Sequence, residues 1–159
     1  MKNGTYIIGE IGQNHNGSVD IAKLIVELIS RPVKEEYFGI DLRPMNAVKM
    51  TKRDLAHELS DSQMSRVYDS PNSFGRTYGE HRAYLELSDE QHFEVYKYAK
   101  EKGLDFVETL CAPSCLSMMK YFTLKVETDK CPYYLAKMVK DVKIKESPDF
   151  IKRRLISAG

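Results

Sequence analysis

The sequence lacks a long apolar run: nothing in it approaches the roughly 20 residues needed to span a bilayer. It also lacks a charge excess, since 24 Lys and Arg stand against 23 Asp and Glu for a net charge of +1. Bulk charge therefore gives no reason to expect nucleic acid or an acidic membrane surface as a partner. The opening Met1-Lys2-Asn3-Gly4 runs straight into a strand-like segment with no signal-peptide core, so a cytoplasmic protein is expected. Cysteines are few and odd in number, at Cys111, Cys115 and Cys131, which argues against a disulfide framework and for reduced thiols. Cys111 and Cys115 have a spacing that a helix could turn toward a metal. Pro113 lies between them and no His pair is near, so they read as small core residues and no metal site is expected. Internal repeats and low-complexity segments are missing too. What remains, at 159 residues, is the length of one ordinary domain with enough chain to bury a core.

The most informative stretch present is Gly9-Glu10-Ile11-Gly12-Gln13-Asn14-His15-Asn16-Gly17. It follows the apolar Tyr6-Ile7-Ile8 and precedes a helix that Ser18 can cap, with Ile21, Leu24, Ile25 and Leu28 at helical spacing. A strand, a polar turn and a helix in that order form one corner of an active site in a β/α barrel; the alternative is a polar turn that satisfies itself. Pro32 stops the helix. Residues 31–44, with Gly39 and Pro44, read as a loop or an ornamented connection, and Ala47-Val48-Lys49-Met50 as a strand. Residues 61–87 are rich in Ser, Gly, Arg and Tyr without aliphatic periodicity, a stretch expected to cover or line something. A helix follows with Ser88 and Gln91 as a capping box, a stripe of Phe93, Tyr96 and Ala99, and Gly103 as its stop. The spacing then predicts a strand at 104–109, a short helix at 113–121, a strand at Leu124-Lys125-Val126, a helix from Tyr133 to Val142 and a last strand from Ile151 to Ser157.

Strands alternating with helices predict an α/β fold with a parallel sheet. The strand ends Glu10, Lys49, Thr109, Lys125 to Thr128 and Ser157 then share the face where such sheets bind ligands. Each lysine alone can equally be a snorkelling strand-end residue. Lysines and hydroxyls together suit a phosphate or carboxylate, so an anionic small-molecule site is expected.

Several of these segments resemble the N-acetylneuraminate (sialic acid) synthase family. They are Ile8 to Gly17, Asn46 to Met50, Thr77-Tyr78-Gly79-Glu80-His81-Arg82 before Leu85 to Ser88, and the strand ending at Thr109. The resemblance is close from about residue 6 to 122 and loose beyond. It implies an eight-stranded β/α (TIM) barrel that condenses phosphoenolpyruvate with N-acetylmannosamine or a related amino sugar and releases phosphate. It further implies that Lys49 and Lys125 hold the phosphate and carboxylate of phosphoenolpyruvate, with hydroxyls from Thr109, Thr128 and Ser157. Glu10 would act near the reacting carbons, and Asn72, Tyr78 and Arg82 would lie along the sugar. A divalent metal, Mn or Mg, serves the family's chemistry, and homo-oligomers are expected.

The departures bear on the same residues. The loop Glu127-Thr128-Asp129-Lys130 places a lysine where the family has a carboxylate. The family's metal-binding histidines and its C-terminal antifreeze-like domain have no counterpart here, and His15, His57, His81 and His92 do not stand at ligand positions. A barrel takes about 200 residues or more, so residues 1–159 are expected to supply about the first five βα units of an incomplete barrel. The alternative to an enzyme is a truncated, non-catalytic relative that binds phosphoenolpyruvate or oligomerises without turnover. Within the enzyme class, legionaminic or pseudaminic acid synthases are open alternatives.

Overall fold

The computed structural model describes residues 5–42, 45–125, 133–136 and 155–157. Its first unit is strand β1 (Ile8–Glu10) and helix α1 (Val19–Ser30), and the Ser18 hydroxyl accepts from the Ile21 N–H at 3.3 Å to start the helix. The helix forms where expected but turns a different face inward. Ala22 and Val26 are buried, with Ile25 and Ile29 packed partly against the core, while Ile21, Leu24 and Leu28 stay largely exposed. The small Ala22 lets α1 lie close to its neighbours, which a pattern of large residues does not reveal.

The connection at 31–44 is ornamented by an antiparallel hairpin, β2 (Val33–Glu35) with β3 (Ile40–Leu42). Glu35 folds its carboxylate over the turn to accept the N–H groups of Tyr37 and Phe38 at 3.0 and 2.6 Å. Strand β4 (Ala47–Lys52) follows, then short helices α2 (Leu55–Glu58) and α3 (Asp61–Ser65), α4 (Tyr78–Leu85) and α5 (Asp89–Glu101). The expected capping box starts α5, with Gln91 N–H donating to Ser88 at 3.2 Å and Ser88 N–H to Gln91 at 2.7 Å. Strand β5 (Asp105–Leu110), a 3-10 turn at Pro113–Cys115 and helix α6 (Leu116–Thr123) come next, then β6 (Tyr133–Ala136) and β7 (Leu155–Ser157).

Two expectations fail in this last third. Leu124 and Lys125 are not strand residues: their N–H groups donate to the carbonyls of Lys120 and Phe122 at 3.2 and 2.9 Å, closing α6. Val126 lies outside the described residues. Tyr133–Ala136 is a strand rather than the start of a helix, because β5 and β7 take up its backbone on both sides. Residues 137–142 and 151–154 of the expected helix and last strand lie outside the described residues.

Strands β1, β4, β5, β6 and β7 form one parallel sheet in that order. Side chains alternate between its faces. Val48, Met50, Phe106 and Leu110 meet Val95, Tyr96 and Ala99 of α5 and Met118, Met119 and Phe122 of α6 in one buried cluster, which Cys115 joins. Each large side chain there contributes roughly 1.5–3 kcal/mol by leaving water. The register sets Glu10 beside Lys49 and Thr51 beside Thr109, in the alternate rows. Those rows form the opposite, polar face.

Candidate functional site

The polar face begins at the end of β1. Glu10 and Lys49 are register partners on adjacent strands, and the Lys49 ammonium donates directly to the Glu10 carboxylate. Glu10 remains half exposed, so the pair adds at most about 1 kcal/mol. Two residues further along the same rows, the Thr109 side chain is buried and its hydroxyl has no hydrogen-bond partner. A buried hydroxyl left open is costly unless something else supplies the bond.

After Glu10 the chain turns through Gly12 and Asn16–Gly17, all at positive φ. At Gly17 a Cβ would overlap the Tyr84 carbonyl oxygen, so only glycine lets the turn rest on α4. Part of the loop's polarity is spent internally. Asn14 Nδ2 donates to the Ile11 carbonyl at 2.9 Å, and buried His15 accepts the Gly17 N–H on Nδ1 at 3.1 Å while bonding the Gly12 carbonyl. Burial first, and then the nearby His92, push the His15 pKa below the ordinary imidazole value, which keeps the ring neutral and able to accept. Asn14 and His15 are therefore the self-satisfied turn, whereas Gln13 reaches outward and accepts from the Arg82 guanidinium.

That contact borders a cavity of about 500 Å³ between the loop and residues 68–85. Gln13 and three asparagines, Asn14, Asn16 and Asn72, line it with Ser70 and Ser73. Its aromatic wall is Tyr68, Phe74 and His81: His81 stacks on Phe74 at 5.8 Å and tilts against Tyr68 at 4.6 Å. His81 accepts the Phe74 N–H on Nδ1 at 3.3 Å, and burial together with the adjacent Arg82 lowers its pKa. The stretch expected to line something does so. A Val67–Thr77 bridge and a Tyr78 N–H to Arg66 carbonyl bond of 2.8 Å draw it into a loop.

Of the sugar-side candidates, Asn72 lines this cavity, and Tyr78 and Arg82 stand behind it. The Arg66 and Arg82 guanidinium groups lie 5.1 and 5.9 Å from the Tyr78 ring centre. Of the anion-side candidates, the structure brings Lys49 and Thr109 to one face with Glu10. Lys125 is elsewhere, its ammonium over the rings of Tyr121 and Phe93 at 4.5 and 5.6 Å on the helix layer. Ser157 ends β7 in the row of Ala136 and Leu110, one residue past the row of Thr109. Thr128 and Lys130 lie outside the described residues.

Sequence reasoning missed two features. A second cavity of about 440 Å³ sits at the ends of β4 and β5, where Lys52 pairs with Asp89 at 3.3 Å and Arg53 is a lining residue paired with Glu58 at 2.7 Å. Glu86 also lines it, and burial raises its carboxyl pKa. Beneath the sheet, His92 and Glu108 form a fully buried pair at 3.1 Å. An apolar stripe with one histidine and a strand with one glutamate do not announce each other in sequence.

No family model matches the chain. Curated relatives do. It is 39% identical over 105 residues to N-acetylneuraminate-9-phosphate synthase of Mus musculus and 40% identical over 101 residues to that of Homo sapiens. The protein of the same name in Drosophila melanogaster is 36% identical over 106 residues. The chain is a relative of the sialic acid synthases. Similarity takes in 66% of this chain and 26% of the mouse enzyme, so the chain spans about a quarter of the length of the curated relatives it matches. Among solved structures, N-acetylneuraminic acid synthetase of Leptospira borgpetersenii, in complex with citrate, superposes with a TM-score of 0.53 at 15% identity, over 96% of this chain and 49% of that one. Spore coat polysaccharide biosynthesis protein E of Chromobacterium violaceum gives 0.54 at 16% identity, over 94% and 44%. These two structures share the α/β fold with its parallel sheet.

Proposed function

We propose that residues 1–159 form the front portion of a synthase-type β/α barrel, about its first five units, and that it binds phosphoenolpyruvate for condensation with N-acetylmannosamine or a related amino sugar. The observation that carries this reading is the Glu10–Lys49 pair in register on adjacent strands, with the partnerless Thr109 hydroxyl on the same face. An anion arriving at Lys49 competes with Glu10 for the ammonium. Binding thus charges the site and frees a carboxylate at once. Lys49 then holds the phosphate or carboxylate of the ligand, Thr109 donates its idle hydroxyl, and Glu10 orients water or handles a proton. In the reaction C3 of phosphoenolpyruvate attacks the sugar aldehyde carbon, water adds at C2, and phosphate leaves. Thr128 and Ser157 join the set on the resemblance alone, as do Asn72, Tyr78 and Arg82 on the sugar side.

Among the described residues no group of three or more His, Cys, Asp or Glu side chains could hold a metal ion.

The test is thermal unfolding with and without millimolar phosphoenolpyruvate. A ligand at 100 times its dissociation constant stabilises by about 2.7 kcal/mol, and Lys49→Ala removes that gain. No shift in the intact chain overturns the reading. A shift without phosphate release, given acetamido sugar and manganese, makes the chain a binding protein instead.

A further inference from the structure

The β2–β3 hairpin displays apolar side chains to solvent. Tyr37 is 86% exposed and Phe38 72%, and Val33 and Ile40 on the strands behind them are about half exposed. The hairpin forms a two-stranded sheet of its own instead of joining the five-stranded one, and such a hairpin is marginally stable by itself. Its tip is nevertheless fixed. The Glu35 carboxylate takes the N–H groups of Tyr37 and Phe38, and the two rings meet edge to face at 4.9 Å. Gly39 turns the chain at positive φ in open space. A rigid turn that presents an aromatic pair suits an interface anchor: aromatic side chains dominate binding energy, and a fixed tip loses little entropy on docking.

Its place in the fold separates it from the polar face. The hairpin joins the end of α1 to the start of β4, so it stands at the amino ends of the parallel strands. The cavities lie at the loops after β1 and at the carboxyl ends of β4 and β5.

Size and charge identify the occupant. At their exposures the four apolar side chains present roughly 500 Å², given about 150–250 Å² for a whole aromatic side chain. Exposed Lys34 and Glu36 flank them and bring the face to roughly 700–800 Å², about the share of one partner in an interface of standard size. The flanking charges are one of each sign. Docking on a second copy about a two-fold axis matches apolar surface to apolar surface and sets each Lys34 against the other copy's Glu36. A partner of a single charge sign would leave one of the two opposed.

We propose that the β2–β3 hairpin is a self-association surface for a second copy of this chain, with Tyr37 and Phe38 of each copy packed against those of the other. The polar face at the far end of the strands stays open in such a pair, so the proposal is independent of the synthase reading.

Sedimentation velocity on the full chain, from about 5 to about 200 µM, tests it in the range of a modest interface. A dimer fraction that rises with concentration is expected. Tyr37→Ser with Phe38→Ser should raise the dissociation constant by at least about tenfold while the unfolding temperature holds, since both side chains are exposed. Leu124→Ser, which removes an equally exposed apolar side chain from the end of α6, should leave the constant unchanged. Lys34→Glu should weaken the pair, and adding Glu36→Lys should restore it. A monomer at every concentration overturns the proposal and gives the hairpin to another protein or to further residues of a longer chain. Association that survives in the serine variant, or falls as much in Leu124→Ser, overturns it too. So does a charge exchange that restores nothing, because the contact is then not between like copies. The phosphoenolpyruvate thermal shift, measured alongside, should be the same in the serine variant, so failure of either reading leaves the other standing.

Discussion

The two faces of the same parallel strands follow opposite rules. Toward the helices, Val48, Met50, Phe106 and Leu110 are almost wholly buried and packed against α5 and α6. On the other face Glu10 and Lys49 pair in partial solvent, and Thr109 keeps a hydroxyl with no partner. The first arrangement maximises burial. The second leaves polar groups short of bonds, which lowers stability unless a ligand completes them. Stability and binding are thus carried by alternate residues of the same strands, and substitutions should separate them.

The largest effect is expected on the helix face. Phe106→Ala removes a buried ring and should cost about 3–5 kcal/mol in urea unfolding, with the phosphoenolpyruvate shift retained by whatever fraction stays folded. Lys49→Ala should do the reverse, abolishing the ligand shift while changing unliganded stability by under about 1 kcal/mol. If both variants lost stability equally, the division between faces would fail.

A sharper probe is the exception to it, since Glu108 is a carboxylate on the helix face and Glu108 Oε1 has no partner. Glu108→Ala alone strands His92 in the core and should cost about 3 kcal/mol, whereas His92→Leu with Glu108→Leu should recover most of it. A double-mutant cycle showing additive losses would mean the pair does not interact.

The smallest effect concerns acid. His15 has its pKa lowered by burial, so the unfolded chain takes up its proton first as pH falls below the ordinary imidazole value of 6.5. The contribution of the neutral ring is therefore complete above that pH and declines below it. The protection factor of the Gly17 amide, whose N–H His15 accepts, should fall between pH 7 and 5 once the intrinsic pH dependence of exchange is divided out, and His15→Asn should flatten that dependence. An unchanged protection factor would show that the ring does not secure the turn.

Much of the front of the fold was legible because its signals are local. Ser18 caps α1, Ser88 and Gln91 box the start of α5, and the polar loop follows β1 as its spacing requires. The errors came where local pattern is ambiguous. Leu124-Lys125-Val126 alternates like a strand, yet the carbonyls of α6 claim the first two amides. Tyr133–Ala136 is a short apolar run that periodicity cannot assign, and its neighbours in the sheet decide it. The binding candidates divide in the same way. Lys49 and Glu10 meet because strands β1 and β4 pair in parallel. Lys125 would join them only on a strand, and the end of α6 holds it on the helix layer instead. The aromatic wall of the cavity is not legible in the sequence, since Tyr68 and Phe74 fall in an irregular stretch that a single bridge folds back, and only that fold brings them against His81 of α4.

The contact between Gly17 and the backbone of Tyr84 makes the separation of the cavity's two walls a property of main chain against main chain. Its width is then nearly independent of which side chains line it. The lining can change from amide to cation, or from one aromatic to another, while the aperture stays the same. A scaffold built this way can alter what it recognises by single exposed substitutions without being refitted, and the position that must not vary is the one that contributes no side chain at all.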